Sequence, residues 1–416
     1  MTSTDTRLAD ALTAPTTRRT HPAEQLGSGK ADVDADGVTI TGAVVDEPYE
    51  TRGDFDHVFA LFNLDPDAFD VVDNTVRMST WQQSKRTETG DRDVVQLYAY
   101  SFRARKRSAE HIAPAVVEQW RAALIATPRT PPPTAPAGYD GPRGTYPLLI
   151  ADPQLGKKDT AQAVGNWRDG VTAHIGAARQ LGDAVERIHV GFMGDETEGV
   201  ANNYGNQAHT IELNRSRQLE LDYDLRVWTI RAALSLGLPV SASSVISNHG
   251  EWTRNGSKEP VTTANDNAST HIARQVATLF DELAPFTGQR VDWTIGEDRP
   301  GVVLNLSGVR CYFSHGYVEK GRGPSVEVKT KAAIERQILG RTDELGDVRL
   351  YFMAHYHHHY SNEFEGRTLF GCPALEAERS SEYMLDQFGV WSPPGVLGML
   401  VGADLGSRGW GHLNVR

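Results

Sequence analysis

The segment RIHVGFMGD, residues 187–195, is an apolar run that ends in glycine and aspartate. A short apolar run bounded by glycine is typical of a buried strand. Amphipathic segments with helical spacing lie before and after it, and they predict helices at residues 164–181, 219–234 and 272–283. Strands that alternate with such helices predict an α/β domain in which helices cover a sheet.

Four other apolar runs also end in residues that can bind a metal ion. In an open α/β sheet the carboxyl ends of the strands form the edge where ligands bind, so these side chains are expected to converge. Oxygen and imidazole ligands without thiolate favour manganese, magnesium, iron or zinc, and two ions ~4 Å apart suit phosphate ester hydrolysis. The four runs end at Asp152-Pro153-Gln154, Ser247-Asn248-His249, His315-Gly316 and His355-Tyr356-His357.

These segments, in this order, resemble the five motifs of the calcineurin-like metallophosphoesterase family, which are usually written DxH, GDxxD, GNHD/E, H and GHxH. The resemblance covers roughly residues 146–360. It extends to SbcD-type exonuclease subunits and to metallophosphoesterases of phages that infect actinobacteria. It implies a pair of packed mixed sheets flanked by helices, in place of a simple doubly wound sheet.

The resemblance also implies a site that holds two divalent metal ions, with manganese preferred and magnesium, iron or zinc as alternatives. His249 would lie beside the substrate phosphate, as transition-state stabiliser and general acid. The first ion would be held by Asp152, Gln154 and His357, the second by Asn248, His315 and His355, and Asp195 would bridge the two.

Several positions depart from the family pattern. Gln154 stands where the family has His, and its neutral amide oxygen predicts a weaker first site that favours hard ions. Gly250 follows His249, so the acid that usually orients this histidine is expected to be Glu251 or to be absent. Glu198 ends the second motif in place of Asp, and Ala354 opens the last one in place of Gly.

The same residues also have ordinary structural explanations. Asp152 and Asp195 could cap helices, and Asn248 with His249 could form a turn. The histidine-rich residues 355–359 could be a surface tract that binds metal weakly. If the preceding strand continues, alternate histidines share one face, and His359 is expected to be a neighbour of the site and not a ligand.

Basic residues lie in the loops beside several motifs, although the net charge of -12 argues against a protein coated in nucleic acid. Lysines and arginines around the opening of the pocket would attract an anionic substrate. The ordinary explanation of these residues is surface charge. The polar loop at residues 202–206 is a second candidate for the rim of the groove. The candidates for substrate binding are Lys157, Arg254, Lys320 and Arg322, with Lys158 and Lys258 nearby.

The remaining sequence predicts the domain organisation. Residues 1–36 lack periodicity and predict a flexible tail, and residues 37–107 predict a small α+β module with a basic end. Residues 108–145 predict a helix and a proline-rich linker, followed by the metallophosphoesterase domain at residues 146–416. Cys311 and Cys372 are expected to be buried thiols, and the lack of an apolar run of spanning length predicts a soluble, cytoplasmic protein.

Three functions are compatible with these features. The first is a phosphodiesterase or nuclease that acts on DNA, in which the resemblance adds a partner ATPase subunit as a candidate. The second is a phosphomonoesterase or phosphoprotein phosphatase with the same metal centre. The third is a metal-stabilised binding protein that has lost catalysis through Gln154 and the altered motif after His249. The loop bases and the basic module favour the first.

Overall fold

The computed structural model describes residues 26–34, 37–86, 92–106, 112–126, 140–200, 203, 207–252, 262–297, 299–317, 325–377, 384–385, 389 and 391–416. The chain forms two compact units, Met1–Ser108 and Ala109–Arg416. In the described part of the chain, no helix is both long enough and apolar enough to span a membrane.

The first unit is a small α+β arrangement built on an antiparallel sheet. Its strands follow the order β1-β2-β5-β3, and β4 also pairs with β5. Phe59 and Phe102 pack in the core that the short helices and the sheet share. The elements are β1 Lys30–Val33, β2 Gly37–Val45, α1 Tyr49–Arg52, α2 Asp56–Ala60, β3 Phe69–Val71, β4 Arg77–Arg86 and β5 Arg92–Lys106.

The prediction of a flexible tail is wrong for residues 30–33, which form β1. This strand pairs with β2 through the backbone, from Lys30 opposite Thr41 to Val33 opposite Val38. Only Ala31 of the strand is even half-buried, so the sequence shows no alternation of apolar residues that would indicate a strand. Residues 1–25 and 35–36 of the predicted tail lie outside the described residues.

The second unit contains two mixed sheets. One has the order β16-β15-β6-β7-β8-β9, and the other has the order β10-β11-β12-β14-β13. Its strands are β6 Gly144–Ile150, β7 Val185–Phe192, β8 Val240–Ser244, β9 Val291–Ile295, β10 Gly301–Leu306, β11 Val309–Ser314, β12 Leu350–Met353, β13 Tyr360–Phe364, β14 Arg367–Gly371, β15 Leu397–Val401 and β16 Trp410–Val415.

Helices lie between these strands in the sequence, as the amphipathic segments predict. They are α3 Pro114–Ala126, α4 Thr160–Leu181, α5 Arg215–Leu234, α6 Ala268–Thr287, α7 Val326–Gly340 and α8 Thr342–Leu345. Strands β6 to β9 run parallel to one another, as do β11, β12 and β14. The carboxyl ends of the parallel strands within each sheet therefore lie on the same edge.

Alternation along the strands places the two sheets face to face. Leu149 of β6 packs in one core with Phe313 and Phe352 of the other sheet, whereas its neighbour Leu148 packs against α4, α5 and α6. In the second sheet, Tyr312 turns to the opposite face and packs with α7. Successive strand residues point to opposite faces, so each sheet is buried on both sides. The result is a pair of packed mixed sheets flanked by helices.

The site-bearing strands belong to both sheets and not to one. The predicted convergence assumed a single open sheet, but β6, β7 and β8 lie in one sheet and β11 and β12 in the other. Sequence spacing shows where strands end and does not show which sheet each strand joins. The convergence arises because the two sheets pack against each other.

Helix α3 forms where the sequence predicts a helix, but it belongs to the second unit, which therefore begins before the predicted boundary at residue 146. Val117 and Leu124 are buried in the core beside the six-stranded sheet, and Arg121 forms an ion pair with Asp224 of α5. The sequence predicts the helix but not the core against which it packs. The proline-rich residues 127–139 lie outside the described residues. Cys311 and Cys372 are buried free thiols, as predicted.

Candidate metal centre

Five residues of the site have left-handed backbone conformations although none of them is glycine. This region is uncommon for residues with a side chain, and Asp and His enter it more readily than most. Each turn follows the end of β6, β7 or β12, and backbone strain of this kind clusters at functional sites. The φ angles are 50° at Asp152, 43° at Gln154, 53° at Asp195, 71° at His355 and 51° at His357.

Asp195, His315 and His355 form a group of three potential metal ligands. One ligand atom from each lies within 4.8 Å of the others. The Nε2 atom of His315 lies 2.9 Å from Oδ2 of Asp195 and 3.1 Å from Oδ1 of Asn248. On the other side of the ring, Nδ1 donates to the carbonyl oxygen of Met193 at 2.9 Å. Because that carbonyl can only accept, Nδ1 carries a proton, and Nε2 is the ring nitrogen that faces the centre and would bind a metal ion after losing its own proton.

Asp152 lies between this group and His357. Its Oδ2 accepts a hydrogen bond from the backbone of His355 at 3.2 Å. Its Oδ1 is buried and makes no hydrogen bond within the described residues, yet it lies 3.2 Å from Nε2 of His357 and 3.9 Å from Nε2 of His315. A buried carboxylate oxygen that faces two imidazole nitrogens fits a cation between them, because oxygen and nitrogen donors of this kind bind divalent ions.

A chain of polar contacts extends from His357 to Gln154. Nδ1 of His357 contacts Oε1 of Glu376 at 2.5 Å. Lys157 donates from Nζ to Oε2 of Glu376 at 2.7 Å and to Oε1 of Gln154 at 2.9 Å. The carboxylate on the distal nitrogen orients His357, as carboxylates do for histidines that bind metals. Lys157 thus contacts two residues of the site, Gln154 and Glu376.

Glu376 is a site residue that the sequence reasoning missed. It follows β14, and its backbone N–H donates to the carbonyl oxygen of Asp152 at 3.1 Å. The sequence contains a weak indication of this role, since β14 is another apolar strand that an acidic residue follows within a few residues. The distance of five residues from the end of the strand concealed it.

His249 is held by Asp195 and Glu198. Its backbone N–H donates to Oδ1 of Asp195 at 2.8 Å. Its Nδ1 lies 2.7 Å from the carbonyl oxygen of Glu198 and 3.2 Å from the carboxylate Oε2 of the same residue. The expectation that Glu251 orients this ring, or that no acid does, is corrected: the acid is Glu198. The backbone of Glu251 forms an isolated β-bridge with Asn267.

The charges of the site shift the pKa values of its members in opposite directions. Burial disfavours the charged form of His249, but the carboxylates of Glu198 and Asp195 outweigh it and raise the pKa to about 9. Burial likewise opposes the charge of His315, whose pKa the carboxylates of Asp195 and Asp152 raise to about 9. Burial first and the charge of His315 second lower the pKa of His355 well below its usual value. One imidazole is therefore kept neutral among acids and cations.

A buried ionic network supports the turn at Asp195. Glu196 accepts from the backbone N–H of Gly194 at 3.1 Å and from Oγ of Ser269 at 2.6 Å. Arg226 lies 2.9 Å from Glu196 and 2.7 Å from Asp222, and all three side chains have no exposed surface. Fully buried ions of opposite charge hold one another in place. No pattern in the sequence indicates this network.

The predicted substrate-binding bases are only partly within the described residues. Lys157 turns inward to Gln154 and Glu376, and Lys158 is exposed. The other four bases lie outside the described residues: Arg254, Lys258, Lys320 and Arg322. The same is true of residues 202–206, apart from Asn203. Contact of these side chains with substrate stays a prediction.

The histidine-rich segment does not continue β12 as a strand. The strand ends at Met353, and the left-handed residues His355 and His357 reach the centre through turns. His358 contacts Glu327 at 3.3 Å, and Nδ1 of His359 donates to the carbonyl oxygen of Gly371 at 3.1 Å. Strand alternation therefore does not explain which histidines face the centre.

No protein-family model matches the chain, and no curated protein matches it. Among solved structures it is similar to a novel archaeal phosphodiesterase, with a TM-score of 0.27 and 10% identity over 65% of this chain and 99% of that one. It is also similar to the phosphopantetheinyl hydrolase of Mycobacterium tuberculosis, with a TM-score of 0.26 and 10% identity over 58% and 92% of the two chains. A single mutant of Vps29 from Entamoeba histolytica is also similar, with a TM-score of 0.24 and 9% identity over 62% of this chain and 86% of that one. TM-scores this low carry no inference about this chain, whose function is argued from its own residues.

Proposed function

We propose that the chain is a metal-dependent hydrolase of phosphate esters, of the metallophosphoesterase type. The observation that carries this proposal is the convergence of Asp195, His315 and His355 within 4.8 Å, at the ends of strands from two sheets. Carboxylate and imidazole ligands suit manganese, iron, zinc and magnesium. A buried carboxylate oxygen of Asp152 that makes no hydrogen bond within the described residues supports a cation at the same place.

The residues divide into metal ligands and a proton donor. Asp195, Asn248, His315 and His355 would hold a divalent ion, and Asp152, Gln154 and His357, which the family pattern gives to a second ion, line the pocket beside it. Such ions, when bound, activate water and neutralise the charge that develops on the phosphoryl group. The chain's contribution is to fix these ligands on rigid strand ends and to exclude water from the buried side of the centre.

His249 is proposed to protonate the leaving oxygen. Glu198 holds Nδ1 of the ring at 2.7 Å through its carbonyl oxygen, and Asp195 holds its backbone. Because the carbonyl oxygen and the carboxylate of Glu198 both lie at Nδ1, the transferred proton is assigned to Nε2. A proton given to the leaving alkoxide or phenoxide removes its negative charge as the phosphorus–oxygen bond breaks.

The finer proposal is a phosphodiesterase that acts on DNA. In β5 of the first unit, Arg103 and Arg105 are exposed while their neighbours Phe102 and Ala104 are buried. Alternation thus places two arginines on the solvent face of one strand. Exposed arginines on one face supply phosphate contacts that do not depend on sequence. The basic residues 254, 258, 320 and 322 of the sequence support the same proposal.

Two artificial substrates test the reaction class. The chain is stripped with EDTA, reloaded with Mn²⁺ and assayed on bis-p-nitrophenyl phosphate and on p-nitrophenyl phosphate. Faster hydrolysis of the diester is expected. Faster hydrolysis of the monoester would support a phosphomonoesterase or phosphoprotein phosphatase, and bound metal without any hydrolysis would support a binding protein.

DNA as substrate is tested by degradation of linear duplex and single-stranded DNA at increasing salt. Phosphate contacts release counterions, so the rate should fall steeply with salt. The double variant Arg103→Ala/Arg105→Ala should degrade DNA more slowly and hydrolyse bis-p-nitrophenyl phosphate at the wild-type rate. Equal effects on both substrates would show that the arginines act on folding and not on DNA.

A further inference from the structure

The pocket that the family pattern gives to the first metal ion contains a lysine ammonium group. Nζ of Lys157 donates to Oε1 of Gln154 at 2.9 Å and to Oε2 of Glu376 at 2.7 Å. Only 16% of the Lys157 side chain and 2% of the Glu376 side chain are exposed. A pair this well shielded from water is a structural element of the site and not surface charge.

The backbone holds Lys157 in this place from both sides. Its N–H donates to the carbonyl oxygen of Gln154 at 3.0 Å, and its own carbonyl accepts from Oγ1 of Thr160 at 2.6 Å. Glu376 is also held by two contacts. Its backbone N–H donates to the carbonyl oxygen of Asp152, and its Oε1 contacts Nδ1 of His357. Both partners of the ion pair are therefore fixed before any ligand arrives.

The two halves of the centre differ in what they offer a metal ion. Within the described residues, one cluster contains three His, Cys, Asp or Glu side chains whose ligand atoms lie within 4.8 Å of one another. It consists of Asp195, His315 and His355. In the other half, the amide oxygen of Gln154 already accepts from an ammonium group. An ion bound to that oxygen at ~2.0 to 2.2 Å would lie a few ångströms from Lys157, and the two positive charges would repel each other.

We propose that Lys157 is the second cation of this centre. The chain binds one divalent ion, at Asp195, Asn248, His315 and His355, and the ammonium of Lys157 supplies the positive charge beside Asp152 and Glu376. This inference rests on the proposed function, since it concerns the same site. It also explains Gln154. The amide oxygen of glutamine accepts a hydrogen bond from the ammonium group, whereas an imidazole nitrogen that binds a metal ion has no lone pair left to accept one.

The test is the number of ions per chain, measured on EDTA-treated protein. Titration with Mn²⁺ by calorimetry, and elemental analysis after gel filtration, should both give one ion for the wild type. Lys157→Met removes the charge and keeps the length of the side chain, so it should raise the number to two, with the second ion bound more weakly. The matched control is Lys158→Met, an exposed neighbour, which should stay at one.

A second variant keeps the test valid if Lys157→Met does not fold. Gln154→His restores the residue that the family uses but leaves the ammonium in place, so it should still bind one ion. The double variant Gln154→His/Lys157→Met should bind two. Two ions in Gln154→His alone would overturn the role of Lys157.

The remaining outcomes separate this inference from the proposed function. Two ions of similar affinity in the wild type, or one ion in every variant, would overturn the inference and leave a metal-dependent hydrolase intact. A wild type that binds no Mn²⁺ would overturn both. One ion in the wild type with hydrolysis that requires it, and two in Lys157→Met, would support both.

Discussion

The Nδ1 atom of His249 lies 2.7 Å from the carbonyl oxygen of Glu198 and 3.2 Å from the carboxylate of the same residue. One residue thus fixes the ring through its backbone and its side chain. If His249 is the proton donor, His249→Ala should slow hydrolysis by roughly a hundredfold or more, the usual scale for a positioned acid. The loss should be smaller for a substrate with a good leaving group. Steady-state kinetics on phenyl and p-nitrophenyl diesters measures both, and loss of bound metal would instead mark His249 as a ligand.

Glu198→Gln should lower kcat about tenfold without changing metal content. The substitution keeps the shape of the side chain and the backbone carbonyl but removes the charge that favours the protonated ring. Combined with His249→Ala it should add little, because two residues that act as one unit are not additive. Glu251→Gln is the control, since Glu251 is also a buried acid close to His249 in the sequence. A larger effect of Glu251→Gln on kcat would return the orienting role to Glu251.

Arg226→Met should lower the free energy of unfolding by about 3 to 5 kcal/mol, the usual cost of removing one member of a buried ion pair. The substitution leaves Glu196 and Asp222 buried without their cation. Urea denaturation measures the change. Arg217→Met is the control, because Arg217 pairs with Glu118 and Glu220 at the surface and such pairs contribute about 1 kcal/mol or less. Equal losses in the two variants would contradict a special role for the network.

His174 predicts a loss of stability in acid. Burial lowers its pKa from 6.5 to about 4, and the neutral ring accepts from Tyr146 at 2.8 Å and donates to the carbonyl oxygen of Val396 at 2.8 Å. Below pH 6.5 the unfolded chain binds a proton that the folded chain excludes, so this stability is present above pH 6.5 and is lost as the pH falls toward 4.

The size of that loss can be measured against a variant that does not titrate. Between pH 7.5 and pH 5 the wild type should lose about 2 kcal/mol more than His174→Gln, at 1.36 kcal/mol per pH unit. Glutamine keeps one donor and one acceptor for Val396 and Tyr146. Urea denaturation at the two pH values gives the comparison, and parallel losses in both proteins would show that His174 does not titrate on unfolding.

The sequence indicated which residues lie together in the candidate centre, because they follow apolar strands at short distance. Asp152, Asp195 and His315 each lie within three residues of the end of a strand, and local patterns are enough to find such positions. It did not predict that two sheets supply them. Pairing of β11 with β12 and of β6 with β7 depends on contacts between distant segments, which hydrophobic periodicity does not encode.

The same limit explains the residues that were missed or misplaced. Lys157 looked like a loop base because its partner Glu376 lies more than two hundred residues away in the sequence. Glu198 looked like a conservative change in a motif because its contact with His249 also depends on the fold. Apolar spacing identifies which segments are strands and helices, whereas the partners of buried charges follow only from the packing of those elements.

Metal-dependent hydrolysis in wild type and in Asp195→Asn is the decisive measurement. Asp195 contacts His315 at 2.9 Å and belongs to the group that would hold the ion. An amide there cannot neutralise a cation, so the variant should bind Mn²⁺ much more weakly and hydrolyse no bis-p-nitrophenyl phosphate. The wild type should be inactive after EDTA and recover with Mn²⁺. Hydrolysis that survives EDTA, or equal activity and metal content in Asp195→Asn, would contradict a metal-dependent phosphoesterase at this site.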